Sequence, residues 1–251
     1  MEEILLYLSL KYHGQFDKIY KAIEEKEQIN RELLNEWKSR MKCSYTTVLS
    51  DDYPETLKAI ACPPFVLYYY GDLSLLNHKT IGVIGMRYPS EYGIEVTKTM
   101  VTGLVEENYV IVSGLALGVD GIAHQSCIDT NGKTVAVLGC GIDCCYPFSN
   151  LKLYEIIKRD HLLISEYPLD LPPQKWYFPA RNRLIAGFSD SLLVTEAKAK
   201  SGTMITVGFA LEQGKEIMAV PSDINGNEGC NILIQQGAKL VKNVKDIVEL
   251  L

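Results

Sequence analysis

Between Leu171 and Ser189 the chain reads LPPQKWYFPARNRLIAGFS, with three positive charges, four aromatics and no acid, in a protein of formal net charge -6. Acidic proteins ordinarily scatter Lys and Arg over solvated faces beside Asp and Glu. Here Lys175, Arg181 and Arg183 stand apart in sequence from any carboxylate, next to Trp176, Tyr177 and Phe178. Arginine presents a planar fork that binds phosphate bidentately, and aromatic rings offer stacking surfaces to bases. The stretch reads either as a contact for an electronegative partner with flat faces, or as a loop whose aromatics cover the core and whose arginines cap helix ends.

Four further segments could hold an anion: Gly85-Met86-Arg87, Ser113-Gly114-Leu115-Ala116-Leu117-Gly118, Gly139-Cys140-Gly141 with Tyr146-Pro147 behind it, and Ser201-Gly202-Thr203. Glycines at such turns let backbone N–H groups approach a phosphate, and a following helix N-terminus adds its positive dipole. Each is weak alone, since glycines are also needed simply to make a turn. Together with Arg87, Arg181 and Arg183, half of the chain's six arginines, they describe an anion-binding rim.

Catalytic and metal-binding constellations are scarce. Asp120 and His124 lie four apart on an expected helix and could share a face, but a locally bonded histidine explains them more simply than a general base. Glu166 and Glu196 end expected strands, where they could meet a ligand or bond loop N–H groups. Cys140, Cys144 and Cys145 form C-x3-C-C, which fits no common zinc spacing. The sequence has no Walker lysine, G-x-S-x-G or HExxH. No catalytic residue, metal site or cofactor is therefore expected.

The elements that must position these residues are regular from Lys79 onward. Short apolar runs at 80–85, 109–114, 134–139, 161–166, 191–197 and 216–221 alternate with helix-compatible segments, and a last run at 238–243 leads into a terminal helix. Buried strands without polar alternation, separated by helix-length segments, predict a parallel sheet covered on both faces. The fold class expected is α/β, a Rossmann-like doubly wound, mostly parallel sheet with a short N-terminal helical segment. Residues 1–45 read as that segment, too short for a core of its own, and residues 46–251 as the Rossmann-like domain, entered through a connector with extended pieces. In such sheets ligands bind beyond the carboxyl ends of the strands, where the glycine segments fall.

At 251 residues and 47% hydrophobic content the chain can bury a full core. No apolar run reaches the ~20 residues of a membrane span. The acidic N-terminus lacks a signal peptide's basic region, and seven cysteines without a disulfide spacing suit a reducing cytoplasm. The acidic balance confines any nucleic-acid site to a local patch.

Taken in order, GMRYPSEYG, SGLALGVDGIAH, AVLGCGIDCCYP, ISEYPL, FPARNRLIAG, SGTMITVGFALEQG and AVPSDINGNEGCNILIQQGA resemble the DNA-processing protein DprA (Smf) family, over about residues 48–241. The resemblance implies a single-stranded DNA-binding protein of natural transformation that protects incoming strands, loads the RecA recombinase and forms homodimers, without metal or nucleotide cofactor. Carried over by position, the family's GSR motif falls on Gly85, Met86 and Arg87, with Arg87 the phosphate-binding arginine. Its RNR motif falls on Arg181, Asn182 and Arg183, its SG(S/T) loop on Ser201, Gly202 and Thr203, and a basic pocket position near Lys152. With Ser113, Gly114 and Lys175 these residues form the expected DNA site. Met86 replaces a usual Ser or Thr, and Leu117 stands where many members have Arg. The family's winged-helix extension is not expected, and the N-terminal segment is a reduced form of its sterile-alpha-motif-like domain. The alternative reading is a nucleotide-binding enzyme of the nucleoside-monophosphate phosphoribohydrolase type, whose PGGxGTxxE loop KSGTMITVGF matches poorly.

Overall fold

The computed structural model describes residues 1–223 and 226–251; Ile224 and Asn225, inside the last motif of the series, lie outside the described residues. The expected runs form β3 (Thr80–Ile84), β4 (Val110–Ser113), β5 (Thr134–Gly141), β6 (Leu162–Tyr167), β7 (Ser191–Val194) and β8 (Glu216–Ala219). Every residue of β3 through β7 is buried. Sheets covered on both faces favour such continuous apolar, β-branched runs. The run at 238–243 contributes only a two-residue β9 (Lys239–Leu240), exposed at both positions. It is the last strand of the sheet, with Lys239 exposed, and burial resumes only at Val241 just beyond it.

The sheet runs β1-β2-β6-β5-β4-β3-β7-β8-β9, and every neighbouring pair from β6 to β9 is parallel. The connector supplies two antiparallel strands, β1 (Ser44–Thr47) and β2 (Val66–Gly71), that extend the β6 edge. Side chains alternate between faces with the pleat. Val112, Val137, Ile164, Leu192 and Val194 join a core on one face. That face is covered by α4 (Glu55–Lys58), α8 (Tyr177–Phe188), α9 (Gly202–Glu212) and α10 (Gly229–Gln235). On the other face Ile81, Val83, Ile111 and Leu193 meet α5 (Glu91–Glu106), α6 (Val119–Asp129) and α11 (Val244–Val248). Further along that face Leu138 and Leu163 meet α7 (Leu151–Asp160).

The N-terminal residues fold as α1 (Glu2–Tyr12), α2 (Phe16–Glu24) and α3 (Arg31–Arg40), broken at His13-Gly14 as their spacing predicts. Leu6, Leu8, Ile19 and Leu34 share one core with Tyr68, Leu138 and Leu163 of the sheet. The Tyr68 hydroxyl donates to Ser9 Oγ at 2.9 Å. The segment thus buries its apolar side against the larger unit, as its length requires.

Chain order reverses between β3 and β7. From β3 the chain winds outward through β4, β5 and β6, then returns to lay β7 on the other side of β3. The loops after β3 and β7 leave toward opposite faces, to α5 and α9 respectively. A crevice opens between them at the carboxyl edge, where open α/β sheets take their ligands.

Candidate nucleic-acid interface

A cleft of about 670 Å³ occupies this switch point. Its walls come from the β3 loop (Gly85, Met86, Arg87, Tyr88), the first turns of α8 (Phe178, Arg181, Asn182), the α9 N-terminus (Ser201, Gly202, Thr203) and Lys198. Tyr146 and Lys175 close the rim.

Local chemistry pins each wall. Gly85 packs where a Cβ would strike Val119 and the Glu196 carbonyl, so only glycine lets the loop pass. The Met86 N–H donates to the Glu196 carbonyl at 3.0 Å, and the Met86 carbonyl accepts from Val119 N–H at 3.0 Å. The Thr203 hydroxyl donates to the Gly85 carbonyl at 3.0 Å, tying α9 to the same loop. Ser90 caps α5 by accepting from Gly93 N–H at 3.1 Å. Its own N–H donates to Glu196 Oε2 at 2.8 Å, and Asn227 Nδ2 donates to Glu196 Oε1 at 2.7 Å. Glu196 is thus a structural carboxylate bonded to a loop N–H.

The charges in the cleft fall into two kinds. Arg87, Lys175 and Lys198 are exposed, and Arg87 makes no hydrogen bond or ion pair among the described residues. Its guanidinium lies 5.8 Å from the centre of the Phe178 ring, whose other neighbour is Tyr146 at 5.4 Å. Arg181 is 4% exposed and forms the floor. It donates from Nη1 to the Gly114 carbonyl at 2.6 Å and to the Val137 carbonyl, and from Nε to Asn182 Oδ1 at 3.2 Å. Gly114 leaves room for that guanidinium, which a Cβ would strike. Burial pushes the Arg181 pKa down, partly offset by the Asp120 carboxylate nearby. Burial raises the Asp120 pKa in turn, opposed by Arg181 and by backbone N–H donors including Gly114.

At the α9 N-terminus the Ser201 hydroxyl donates to the Lys198 carbonyl at 3.0 Å instead of capping the helix. Among the described residues the first-turn amides of Gly202 and Thr203 therefore lack a side-chain acceptor, and a Cβ on Gly202 would meet nothing within 4 Å. Free first-turn amides with a helix dipole behind them, beside exposed cations, suit an oxyanion such as phosphate.

Of the residues expected at the site, the cleft gathers Gly85, Met86, Arg87, Lys175, Arg181, Asn182, Ser201, Gly202 and Thr203. Four lie elsewhere. Ser113 is buried behind the floor, donating to the Val83 carbonyl at 2.7 Å, and Gly114 lies there with it. Lys152 lines a second, adjoining cleft. Arg183 is 8% exposed and paired with Glu166 at 2.7 Å, with further bonds to the Cys62 and Ala180 carbonyls. Burial alone would lower the Arg183 pKa, but the Glu166 carboxylate reverses this and raises it. The expectation that Arg183 stands apart from carboxylates holds along the chain and fails in space.

His124 is also structural. It is fully buried, with Nε2 accepting from Leu115 N–H at 3.3 Å and Nδ1 bonded to Thr134 Oγ1 at 2.7 Å. Burial drives its pKa down to about 3. Sequence reading missed Lys198 and Tyr88 as lining residues. The run EAKAKSG, with two lysines just before the SGT loop, was the available signal for Lys198.

Residues 44–251 match the model of the DNA recombination-mediator protein A family. The chain belongs to that family. It is 43% identical to DNA processing protein DprA of Bacillus subtilis over 205 residues, covering 80% of this chain and 69% of that protein. It is likewise 43% identical to DprA of Streptococcus pneumoniae over 204 residues, covering 80% of this chain and 72% of that one. The X-ray structure of the S. pneumoniae protein superposes with a TM-score of 0.84 at 37% identity, over 99% of this chain and 93% of that one. DNA processing protein A of Helicobacter pylori, solved to describe its single-stranded DNA binding mode, gives 0.76 at 33% identity, over 83% and 96%. The DprA relationship thus covers the Rossmann-like unit and the cleft alike.

Proposed function

We propose that the switch-point cleft binds the phosphates of single-stranded DNA. Arg87, Lys175, Lys198 and the α9 amides would supply the grip, with Arg181 as the buried floor. The observation that carries this is the pairing state of the charges: the side chains of Arg87, Lys175 and Lys198 have no hydrogen-bond or ion-pair partner among the described residues, while Asp120, Glu166 and Glu196 are each engaged inside the protein. Few phosphates are neutralised per subunit, so the logarithmic salt slope should be shallow, about 0.7 per phosphate for single strands. Bases next to the phosphates would stack on the exposed aromatic rim, where each is worth ~1–3 kcal/mol.

On the same reading the protein protects strands taken up in natural transformation and loads a RecA recombinase onto them, acting in the cytoplasm and without catalysis of its own. We further propose that residues 1–45 are a reduced sterile-alpha-motif-like unit docked on the domain formed by 46–251. The DNA-binding unit would be a homodimer, which doubles the sites on one strand. The edge strand β9, with Leu240 46% exposed, offers an unpaired ladder and an apolar contact for a second copy.

The experiment is a titration of labelled oligo-dT at two salt concentrations with duplex DNA as competitor, alongside an assay for ribose 5-phosphate release from nucleotides. Salt-sensitive binding of the single strand with no release is the expected result. No binding at low salt by folded protein sinks the proposal, and release of the sugar phosphate would favour the phosphoribohydrolase reading.

A further inference from the structure

Strand β5 runs out into the segment GCGIDCCYP, whose three thiols, Cys140, Cys144 and Cys145, play no part in the cleft described above. Cys140 is buried, while Cys144 and Cys145 are half-buried. Among the described residues no three His, Cys, Asp or Glu side chains converge to hold a metal ion. The chemistry open to this cluster is that of thiols.

Two of the three meet across a tight turn. The Cys144 N–H donates to the Gly141 carbonyl at 2.9 Å, and the Cys140 thiol donates to the Cys144 carbonyl at 3.0 Å. The Cys140 and Cys144 thiols also interact side chain to side chain. Cys145 is turned another way, with its thiol on the Pro147 carbonyl at 3.5 Å. A half-buried thiol reached by solvent, with a second thiol behind it, can be oxidised and then resolved by its neighbour.

We infer that Cys140 and Cys144 are an oxidisable pair that closes to a disulfide and weakens the first cleft when it does. With hydrogen peroxide as oxidant, the Cys144 sulfur takes one peroxide oxygen to become a sulfenic acid, and the other oxygen leaves as water. The Cys140 sulfur then attacks the sulfenic sulfur and expels its oxygen as a second water. The pair loses two electrons and both thiol protons, and the peroxide is reduced to two waters. Burial raises the pKa of both thiols, so attack is slow and the pair answers to sustained oxidation.

The route to the cleft is short. The N–H groups of Gly141, Ile142 and Asp143 are pinned to the Leu171, Tyr167 and Leu169 carbonyls at 2.8, 3.0 and 2.8 Å. The residues left to yield when the bond forms are those after the turn, Cys144 to Tyr146. Tyr146 packs on Phe178 with ring centres 5.4 Å apart, and Phe178 carries the Arg87 guanidinium at 5.8 Å. Gly139, on the other side of Cys140, also lies so close to Phe178 that a Cβ there would strike the ring. The bed under Arg87 is thus held from both ends of the thiol turn. The effect on binding rests on the role proposed for the first cleft; formation of the bond does not.

The test oxidises the full chain with hydrogen peroxide, removes the excess, and counts maleimide-reactive thiols by intact mass after denaturation. All seven cysteines are free in the reduced protein. Wild type should lose two reactive thiols and regain them with dithiothreitol. Cys145→Ser should lose two as well, and Cys144→Ser should lose none. Anisotropy with oligo-dT should show oxidised wild type binding about two- to fivefold more weakly than reduced, the scale of one exposed cation–π contact. Dithiothreitol should restore that loss, and Cys144→Ser should not show it. A wild type that keeps every thiol, or a Cys144→Ser that still loses two, overturns the pair. Unchanged affinity in wild type that has lost two thiols overturns its link to the cleft. If reduced wild type binds no strand, the role of the first cleft fails, and the thiol count still decides whether the pair closes.

Discussion

The loop after β3 and the first turns of α8 each place arginine at the carboxyl edge of the sheet, and the two regions use it in opposite ways. Arg87 is exposed, rests on the Phe178 ring and has no anionic partner among the described residues. Arg183 is buried against Glu166 and two carbonyls. Arg181, two residues away on the same helix, turns to the floor of the cleft, because residues two apart on a helix do not face each other. A guanidinium recognises a ligand only if its donors are not already taken. The family motif thus divides into one residue for the cleft and one for the framework.

The sharpest way to break this comparison is Arg183→Ala. Removing one partner strands Glu166 as a buried charge, which costs about 3–5 kcal/mol in stability. Urea unfolding should show that loss, and a change below about 0.5 kcal/mol, the surface range, would mean that Arg183 is not framework. Arg87→Ala should do the reverse. Stability stays within about 0.5 kcal/mol, while single-strand affinity falls by roughly 1.5–3 kcal/mol, the worth of a hydrogen bond to a charged group. The salt slope should drop by a little under one phosphate's share. A collapse in stability would move Arg87 into the framework class.

His124 probes the buried side by pH. Its folded pKa is about 3, against 6.5 for an ordinary histidine, because burial excludes the charged form. The unfolded chain takes up this proton below about pH 6.5 and the folded one does not until near 3. Stability is therefore full above about pH 6.5 and falls with acidification toward pH 3, by about 1.4 kcal/mol per pH unit for this one group. Unfolding midpoints at pH 7, 6 and 5 should decline less steeply in His124→Gln; parallel declines would refute it. The smallest effect is expected at Lys175. Lys175→Ala should weaken binding by a few-fold at low salt, since an exposed cation is screened, by counterions within about 10 Å at 0.1 M, and leave stability unchanged. A loss as large as that of Arg87→Ala would place the grip on the rim.

Much of this was legible in the chain. The apolar runs mark β3 through β8 because a strand buried on both faces must be mostly apolar, and that constraint is local. The break at His13-Gly14 and the place of the glycine loops after strands follow from the same local rules. Cation partners were not legible. Glu166 lies 17 residues before Arg183, and Cys62 lies 121 residues before it, so no spacing pairs them. The aromatic island divided in the same way. Tyr177 is buried and stacks on Tyr167 with ring centres 3.9 Å apart, while its neighbour Trp176 is 64% exposed.

Sequence alone determined the main elements, their parallel arrangement, the edge of the sheet at which the cleft opens and the family. Periodicity and turn chemistry act over a few residues, and the motif series preserves its order. Tertiary structure alone decided which charges remain available. Whether a guanidinium is free or spent depends on what the β3–β7 reversal brings beside it, and that neighbour comes from a distant part of the chain.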